Sequence, residues 1–504
     1  MNPTQPAKLF WLILLAVFWA FYGLTGRDAW KAEEALALAP VLDWVATGAH
    51  LWHEPAPLYT LLAGLLAQGT WLDLQDGARL ASGVFSLVAL LFTALAARSL
   101  FGPGFGPSAV LSMLGCLGLM LRMHAMAPET ALLATWAVLL AGVAVGRTRI
   151  GIGGTLIGLA LLALALGMRG LPDLAAGLAV ALLPLLLREW RQPSYYRVLA
   201  LSLGLLTVSA LGALLYLHAG GRPADLSRWV GQFPSLATRS HALSEFFWFT
   251  WPVWPLALAA LWHEHRRFDR AWELHLPLLA LLVALLVSQV PGWSRDGGLL
   301  PLIPPLALLA AYGVNTLKRG AAQAFYWFGV VCFLFFLIAF WFYFAALEWG
   351  VPAKLAAHVA RLTPGYRPGS PGGPSVFLPL LATLLWLTAI PLFPRATIRP
   401  ILVWASGMVL IWTLLIALYR PWAEAGWAYR PLIADLSRHL PAGACLKVEV
   451  DPAMRIMLRY HLHPAQRPDC PWLLTTANRH EIALWEGARP RNKQLRYRLY
   501  RIEP

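Results

Sequence analysis

Carboxylates, histidines and isolated arginines gather at a few points between long apolar stretches, and those points are where this sequence could do chemistry. The densest runs Gly26-Arg27-Asp28-Ala29-Trp30-Lys31-Ala32-Glu33-Glu34-Ala35 and continues to Trp52-His53-Glu54-Pro55-Ala56-Pro57-Leu58-Tyr59. Glu33 and Glu34 are adjacent carboxylates able to act as a general base or to orient a substrate. His53 and Glu54 could position a polar substrate or help bind a divalent cation, although one His and one Glu make an incomplete ligand set. Asp28, Glu33 and Glu34 equally suit the start of a helix, where the backbone dipole favours negative charge. A second cluster is Arg122-Met123-His124-Ala125-Met126-Ala127-Pro128-Glu129, with Glu129 in the first turn after a proline. Two isolated cations follow, Arg169 in Gly167-Met168-Arg169-Gly170 and Arg295 in Ser294-Arg295-Asp296-Gly297. Each suits an anionic group such as phosphate, or a side chain snorkelling to the membrane surface.

The elements that must position these residues are helices in a bilayer. Of 504 residues, 59% are apolar and 13% charged, against roughly 25% charged in ordinary soluble domains. This excludes a disordered or collagen-like chain and argues against a soluble enzyme. Apolar blocks of about 17–24 residues predict an all-α polytopic membrane protein. Thirteen spans are expected, at 9–25, 79–98, 108–123, 128–146, 150–168, 171–188, 198–216, 246–262, 274–291, 299–316, 322–345, 375–392 and 400–418. The net charge of +15 is scattered between spans, which fits a topology signal and the lipid bilayer as partner; with no basic tract, nucleic acid is not expected.

The apolar stretch 57–72 is about 24 Å long as a helix, short of the roughly 30 Å hydrocarbon core, and is expected to lie in the interface. Leaving it out of the spans puts Arg98, Arg147, Arg149, Arg188, Arg191, Arg197, Arg266, Arg267, Arg270, Lys318, Arg319, Arg395 and Arg399 on one side in short loops. By the positive-inside rule that side is cytoplasmic, with the N-terminus inside and the C-terminus outside. The expected organisation is a membrane domain over 1–419, with a catalytic first outer loop at 26–78, and an outer α+β domain over 420–504. In the latter a helix near 428–439 and strands at Cys445–Val450, Trp472–Thr476 and Gln494–Ile502 are predicted. Cys445 and Cys470 would face an oxidising compartment, where they either pair or stay as buried thiols.

In order along the chain, these segments resemble the membrane glycosyltransferases of the GT-C superfold, in the bacterial branch that includes the lipid A aminoarabinose transferase and the protein O-mannosyltransferase relatives. Asp28-Ala29-Trp30-Lys31-Ala32-Glu33-Glu34-Ala35 is similar to the family's Asp-Glu pair, with Glu33 at the Asp. Glu54-Pro55-Ala56-Pro57-Leu58-Tyr59 is similar to its Glu-Lys-Pro-Pro-Leu-Tyr box, and Gly77-Ala78-Arg79-Leu80 to the start of its second span. The segment from His124 to Leu132 resembles its second acidic site, with Glu129 at a usual Asp; Met168-Arg169-Gly170 resembles its Lys-Gly box. Leu300-Pro301-Leu302-Ile303-Pro304-Pro305-Leu306-Ala307 matches another family stretch. Pro55 departs from the pattern, because the family has there a Lys linked to the lipid-carrier phosphate.

The resemblance implies a transferase that moves a sugar from a polyprenyl-phosphate donor to a glycolipid such as lipid A, a glycan or a protein, at the periplasmic face of a bacterial inner membrane. It implies catalytic roles for Glu33, Glu34 and Glu129, and substrate contacts for His53, Glu54, Tyr59, Arg79, His124, Arg169 and Arg295. No cofactor is assigned beyond a divalent cation as an option, with no ligands identified. Two other readings remain open: a lipid-linked sugar transporter, which the scarcity of charge within the spans disfavours, and a catalytically silent scaffold, which Pro55 favours.

Overall fold

The computed structural model describes residues 4–48, 56–167, 170–219, 242–289, 297–364, 366–368, 374–393, 396–441, 443–464, 470–492 and 494–502. In chain order its helices are α1 (Thr4–Phe21), α2 (Ala32–Thr47), α3 (Pro57–Gly69), α4 (Leu74–Phe101), α5 (Phe105–Leu114), α6 (Leu117–Arg122), α7 (Glu129–Gly146), α8 (Ile150–Ala165), α9 (Leu171–Leu182) and α10 (Pro193–Ala219). There follow α11 (Ala242–Phe249), α12 (Val253–Glu264), α13 (Trp272–Ser288), α14 (Ile303–Thr316), α15 (Arg319–Trp349), α16 (Ala353–Leu362), α17 (Pro374–Leu392), α18 (Arg399–Trp427), α19 (Arg430–Ser437) and α20 (Pro452–His461).

The protein is mostly helical and built for a membrane. Among the described residues, six helical segments are long and apolar enough to cross one by length and composition: Leu74–Phe101, Glu129–Gly146, Pro193–Tyr216, Gly297–Thr316, Arg319–Trp349 and Arg399–Trp427. Shorter apolar helices stand at most of the other expected spans. Two expected spans are interrupted. The stretch 108–123 is split at Gly115-Cys116 into α5 and α6, and 246–262 is split at 250–252 into α11 and α12. Gly115 explains the first break: a Cβ there would lie 2.7 Å from the Trp404 ring of α18, whose indole N–H donates to the Gly115 carbonyl at 2.8 Å. α4 and α7 form the centre of the bundle, and α7 is buried along almost its whole length. Large apolar side chains of α10, α15 and α17, such as Leu215, Phe335 and Leu385, stay exposed, as lipid-facing residues do.

The segment after α1 is more ordered than its composition suggested. Gly26 adopts φ +74°, a left-handed conformation open to glycine, and its N–H donates to Asp76 at 2.6 Å. The chain then forms α2, the helix whose start the acidic residues suit, within the stretch expected as the first outer loop. Glu33 and Glu34 occupy its first turn, and Gly48 ends it in the left-handed conformation. α3 begins at Pro57, the favoured first-turn position, and covers the stretch expected at 57–72. It closes on α2 at Gly64, where a Cβ would lie 2.1 Å from the Trp44 indole.

The C-terminal unit is a four-stranded sheet of β1 (Leu446–Glu449), β2 (Trp472–Thr475), β3 (Trp485–Gly487) and β4 (Tyr497–Arg501), in the order β1-β2-β4-β3. β1 and β2 are parallel, with Leu446 opposite Trp472, and α20 makes the crossover between them. β4 pairs antiparallel with β2 and β3. Cys445 and Cys470, each just before a parallel strand, are joined in a disulfide with Cα atoms 5.1 Å apart. Neither α20 nor β3 was predicted. α20 is short and amphipathic, burying Ala453, Met454, Met457 and Leu458; β3 has three residues, too few to carry a periodicity.

Candidate active site

The adjacent residues Glu33 and Glu34 have opposite surroundings, because one turn of α2 directs them to different faces. Glu34 points inward. Its two oxygens accept from Arg27 at 2.9 and 2.8 Å, and Oε1 also accepts from Arg79 Nε at 2.8 Å and from the Met126 N–H at 3.1 Å. Arg79 continues to Asp76 at 2.8 Å and to the carbonyls of Leu24 and Arg27. Two guanidinium groups and two carboxylates thus form a buried cluster without net charge, the arrangement that makes burying ions tolerable. Burial alone would raise the Glu34 carboxyl; the charges of Arg27 and Arg79 overcome it and bring it down to about 2.

Glu33 points outward and is half-exposed. Its Oε2 lies 2.9 Å from Nη1 of Arg122, a buried side chain at the end of α6. The turn from Arg122 to Glu129 is fastened to α2 and α4 by a series of contacts. The His124 carbonyl accepts from Arg27 at 2.6 Å, the Ala125 carbonyl accepts from Ser82 at 2.7 Å, and Met126 donates to Glu34. Tyr59, buried in α3, lies 2.9 Å from Ser82 Oγ; since Ser82 donates its proton to Ala125, the tyrosine is the donor. Burial raises the Tyr59 hydroxyl, and the nearby charges of Glu34 and Glu129 raise it further. Glu129 opens α7 and is buried. α2, α3, α4 and the 122–129 turn therefore meet at one node. Beside it, a cavity of about 20 Å³, room for a single water, is lined by Tyr59, Pro128, Ala131, Leu132 and Gly167.

The node joins Glu33, Glu34, Tyr59, Arg79 and Glu129 to the same small region, but their accessibility differs. Arg79 is fully buried, with its Nε on Glu34 and its Nη1 on Asp76 and the carbonyls of Leu24 and Arg27. His124 is buried too. Its Nδ1 faces the Met120 carbonyl at 2.6 Å, its Nε2 faces the Trp19 carbonyl at 2.5 Å, and its ring stacks on Trp412. Burial pulls this imidazole down to about 4 against the two carbonyl contacts, which favour the doubly protonated ring. His53, Glu54, Arg169 and Arg295 lie outside the described residues. Among the described residues, no group of three or more His, Cys, Asp or Glu side chains could hold a metal ion.

Two residues at the node escaped the reading of the sequence as site residues. Arg27 was quoted but given no role, and Arg122 was noted only as part of a cluster. The available signal was the imbalance itself: a carboxylate pair beside a buried helix end needs cations, and Arg27, Arg79 and Arg122 are the arginines that adjoin the acidic motifs.

This fold, a mostly helical body with a small C-terminal sheet unit, is shared with solved structures of membrane glycosyltransferases of the GT-C type. ArnT from Cupriavidus metallidurans in the apo state superposes with a TM-score of 0.66 at 17% identity, covering 92% of this chain and 86% of that one. The same ArnT bound to undecaprenyl phosphate gives 0.65 at 18% identity over the same shares. The apo oligosaccharyltransferase of Archaeoglobus fulgidus matches at a TM-score of 0.45 and 10% identity, over 93% of this chain and 65% of that one. No family model and no curated protein matches the sequence.

Proposed function

We propose that the protein is a membrane glycosyltransferase that takes a sugar from a polyprenyl-phosphate donor and delivers it to a glycolipid, glycan or protein acceptor on the extracytoplasmic side. The observation that carries this reading is Glu33, a half-exposed carboxylate held by the buried Arg122, in a fold shared with a protein crystallised with undecaprenyl phosphate. In the proposed step the acceptor oxygen attacks the anomeric carbon. The bond from that carbon to the carrier phosphate breaks, and the phosphate leaves with the electron pair. A hydroxyl acceptor passes its proton to Glu33; a phosphate acceptor arrives ionised and Glu33 only orients it.

The leaving phosphate needs a cation in a water-poor site. Arg79 is a poor source because it is fully buried, with Nε on Glu34 and Nη1 on Asp76 and two carbonyls. Arg122, beside the half-exposed Glu33, is assigned that role in a sequence that has Pro55 at the family's Lys. Glu34 and Arg79 then serve as scaffold rather than as base and phosphate ligand, while Glu129 and Tyr59 shape the inner wall. Arg169, Arg295, His53 and Glu54 keep their proposed roles toward donor phosphate and sugar, as does the option of a divalent cation.

The test is transfer by the purified protein in proteoliposomes from a labelled polyprenyl-phosphate sugar to a panel of glycolipid, glycan and peptide acceptors. A new glycosidic bond, lost in Glu33→Gln, supports the reading. Movement of the lipid between leaflets without any new bond overturns it in favour of a transporter.

A further inference from the structure

The chemistry above uses neither Asp28 nor the C-terminal unit, yet the two are tightly joined. The Asp28 carboxylate is wholly buried. Its Oδ2 accepts from the Tyr429 and Arg430 N–H groups at 2.9 and 2.7 Å, the free backbone donors at the start of α19. Its Oδ1 lies 3.2 Å from Nε2 of His461, the last residue of α20. The Asp28 N–H donates to Glu424 of α18 at 3.0 Å, and the same glutamate oxygen accepts from the Trp30 indole at 2.7 Å. Burial would raise the Asp28 carboxyl; the hydrogen bond and charge of His461 and the backbone donors reverse this and lower it.

A second tie joins the last turn of α20 to the C-terminal part of α2. α20 packs along α2, and Arg459 Nη1 meets Asp43 Oδ1 at 2.5 Å. α2 is therefore pinned to α20 just before its first turn, through Asp28 and His461, and again near its last, through Asp43 and Arg459. Glu33 and Glu34 lie between the two pins. Detaching the C-terminal unit would leave a buried carboxylate without its donors from residues 429, 430 and 461, at a cost of kcal/mol per lost charged bond.

We propose that the C-terminal unit sets the position of α2, with Asp28 as the positioning residue, so that Glu33 reaches its working place only when that unit is docked. This rests on the role given to Glu33 above. The experiment uses the full-length protein in nanodiscs. Asp28→Asn is expected to speed hydrogen exchange over residues 32–47 and to lower kcat about tenfold to a hundredfold, with donor KM nearly unchanged. Asp43→Cys with Arg459→Cys, bridged by a short bis-maleimide, is then expected to slow that exchange again and restore most of kcat in the Asp28→Asn background. A merely structural role would lower the melting temperature without such rescue. Unchanged exchange over 32–47, or a completed cross-link that restores nothing, overturns the proposal. Should Asp28→Asn fail to fold, His461→Ala removes the side-chain donor from α20 and is read in the same way. If the unmutated protein transfers no sugar, the role of Glu33 falls, and the exchange measurements alone decide whether the unit positions α2.

Discussion

Glu33 and Glu34 are neighbours in sequence with divided surroundings: Glu34 is enclosed by Arg27 and Arg79, while Glu33 is half-exposed against Arg122. Under the proposed function, chemistry falls to Glu33 and stability to Glu34, and substitution can tell the two apart.

Glu34→Ala leaves Arg27 and Arg79 buried without their shared counter-charge. Breaking a buried pair in this way costs about 3–5 kcal/mol. The expected outcome is a large fall in melting temperature of the detergent-solubilised protein, measured by differential scanning fluorimetry, and poor recovery of folded material. A melting temperature equal to that of the parent protein would contradict the structural role.

Glu33→Gln keeps the size and the hydrogen bond to Arg122 but removes the negative charge. Because Glu33 is half-exposed, stability should move by no more than about 0.5 kcal/mol. Transfer to a hydroxyl acceptor should fall by about 10²–10⁴-fold, the usual contribution of a general base. Transfer to a phosphate acceptor should fall less, since no proton has to be removed.

Acid sensitivity follows from Glu34. Its carboxyl lies at about 2 in the folded protein, against an ordinary value of 4.5. A depressed carboxyl contributes stability that is complete above the unfolded value and is lost as pH falls through the folded one. The window is therefore about pH 4.5 down to 2, and the difference corresponds to about 3 kcal/mol. Thermal scans from pH 5 to pH 2.5 should show a slope in the parent protein that is reduced in Glu34→Gln.

The disulfide between Cys445 and Cys470 closes a loop of sequence separation 25. Removing it with Cys445→Ser and Cys470→Ser should destabilise the C-terminal unit by about 3 kcal/mol through the entropy of the unfolded chain. Limited proteolysis is the measurement: cleavage beyond residue 440 should accelerate while the membrane helices stay protected.

Much of the architecture was legible because the bilayer imposes long apolar runs, and those runs coincide with helices from α1 to α18. What the runs do not encode are interruptions set by packing. The break at Gly115 depends on Trp404, which is 289 residues away. The start of α2 is marked by its acidic residues, but its extent is not legible for a similar reason. Its apolar face is satisfied by α3 and α20, and Pro40 within it reads as a breaker in isolation. The acidic motifs mark segments that meet in the structure, yet sequence alone does not assign their partners. Arg79 was read as a substrate contact, whereas its donors are directed at Glu34 and Asp76. Arg122 was passed over because its partner, Glu33, lies 89 positions earlier in the numbering.

The contact between Gly64 and Trp44 has a mechanical consequence. With the indole filling the space a side chain at 64 would need, α3 and α2 interlock and cannot slip past one another. A side chain larger than hydrogen at 64 would wedge α3 away from α2, the helix whose first turn holds Glu33 and Glu34, so a single methyl group there would loosen the whole outer segment.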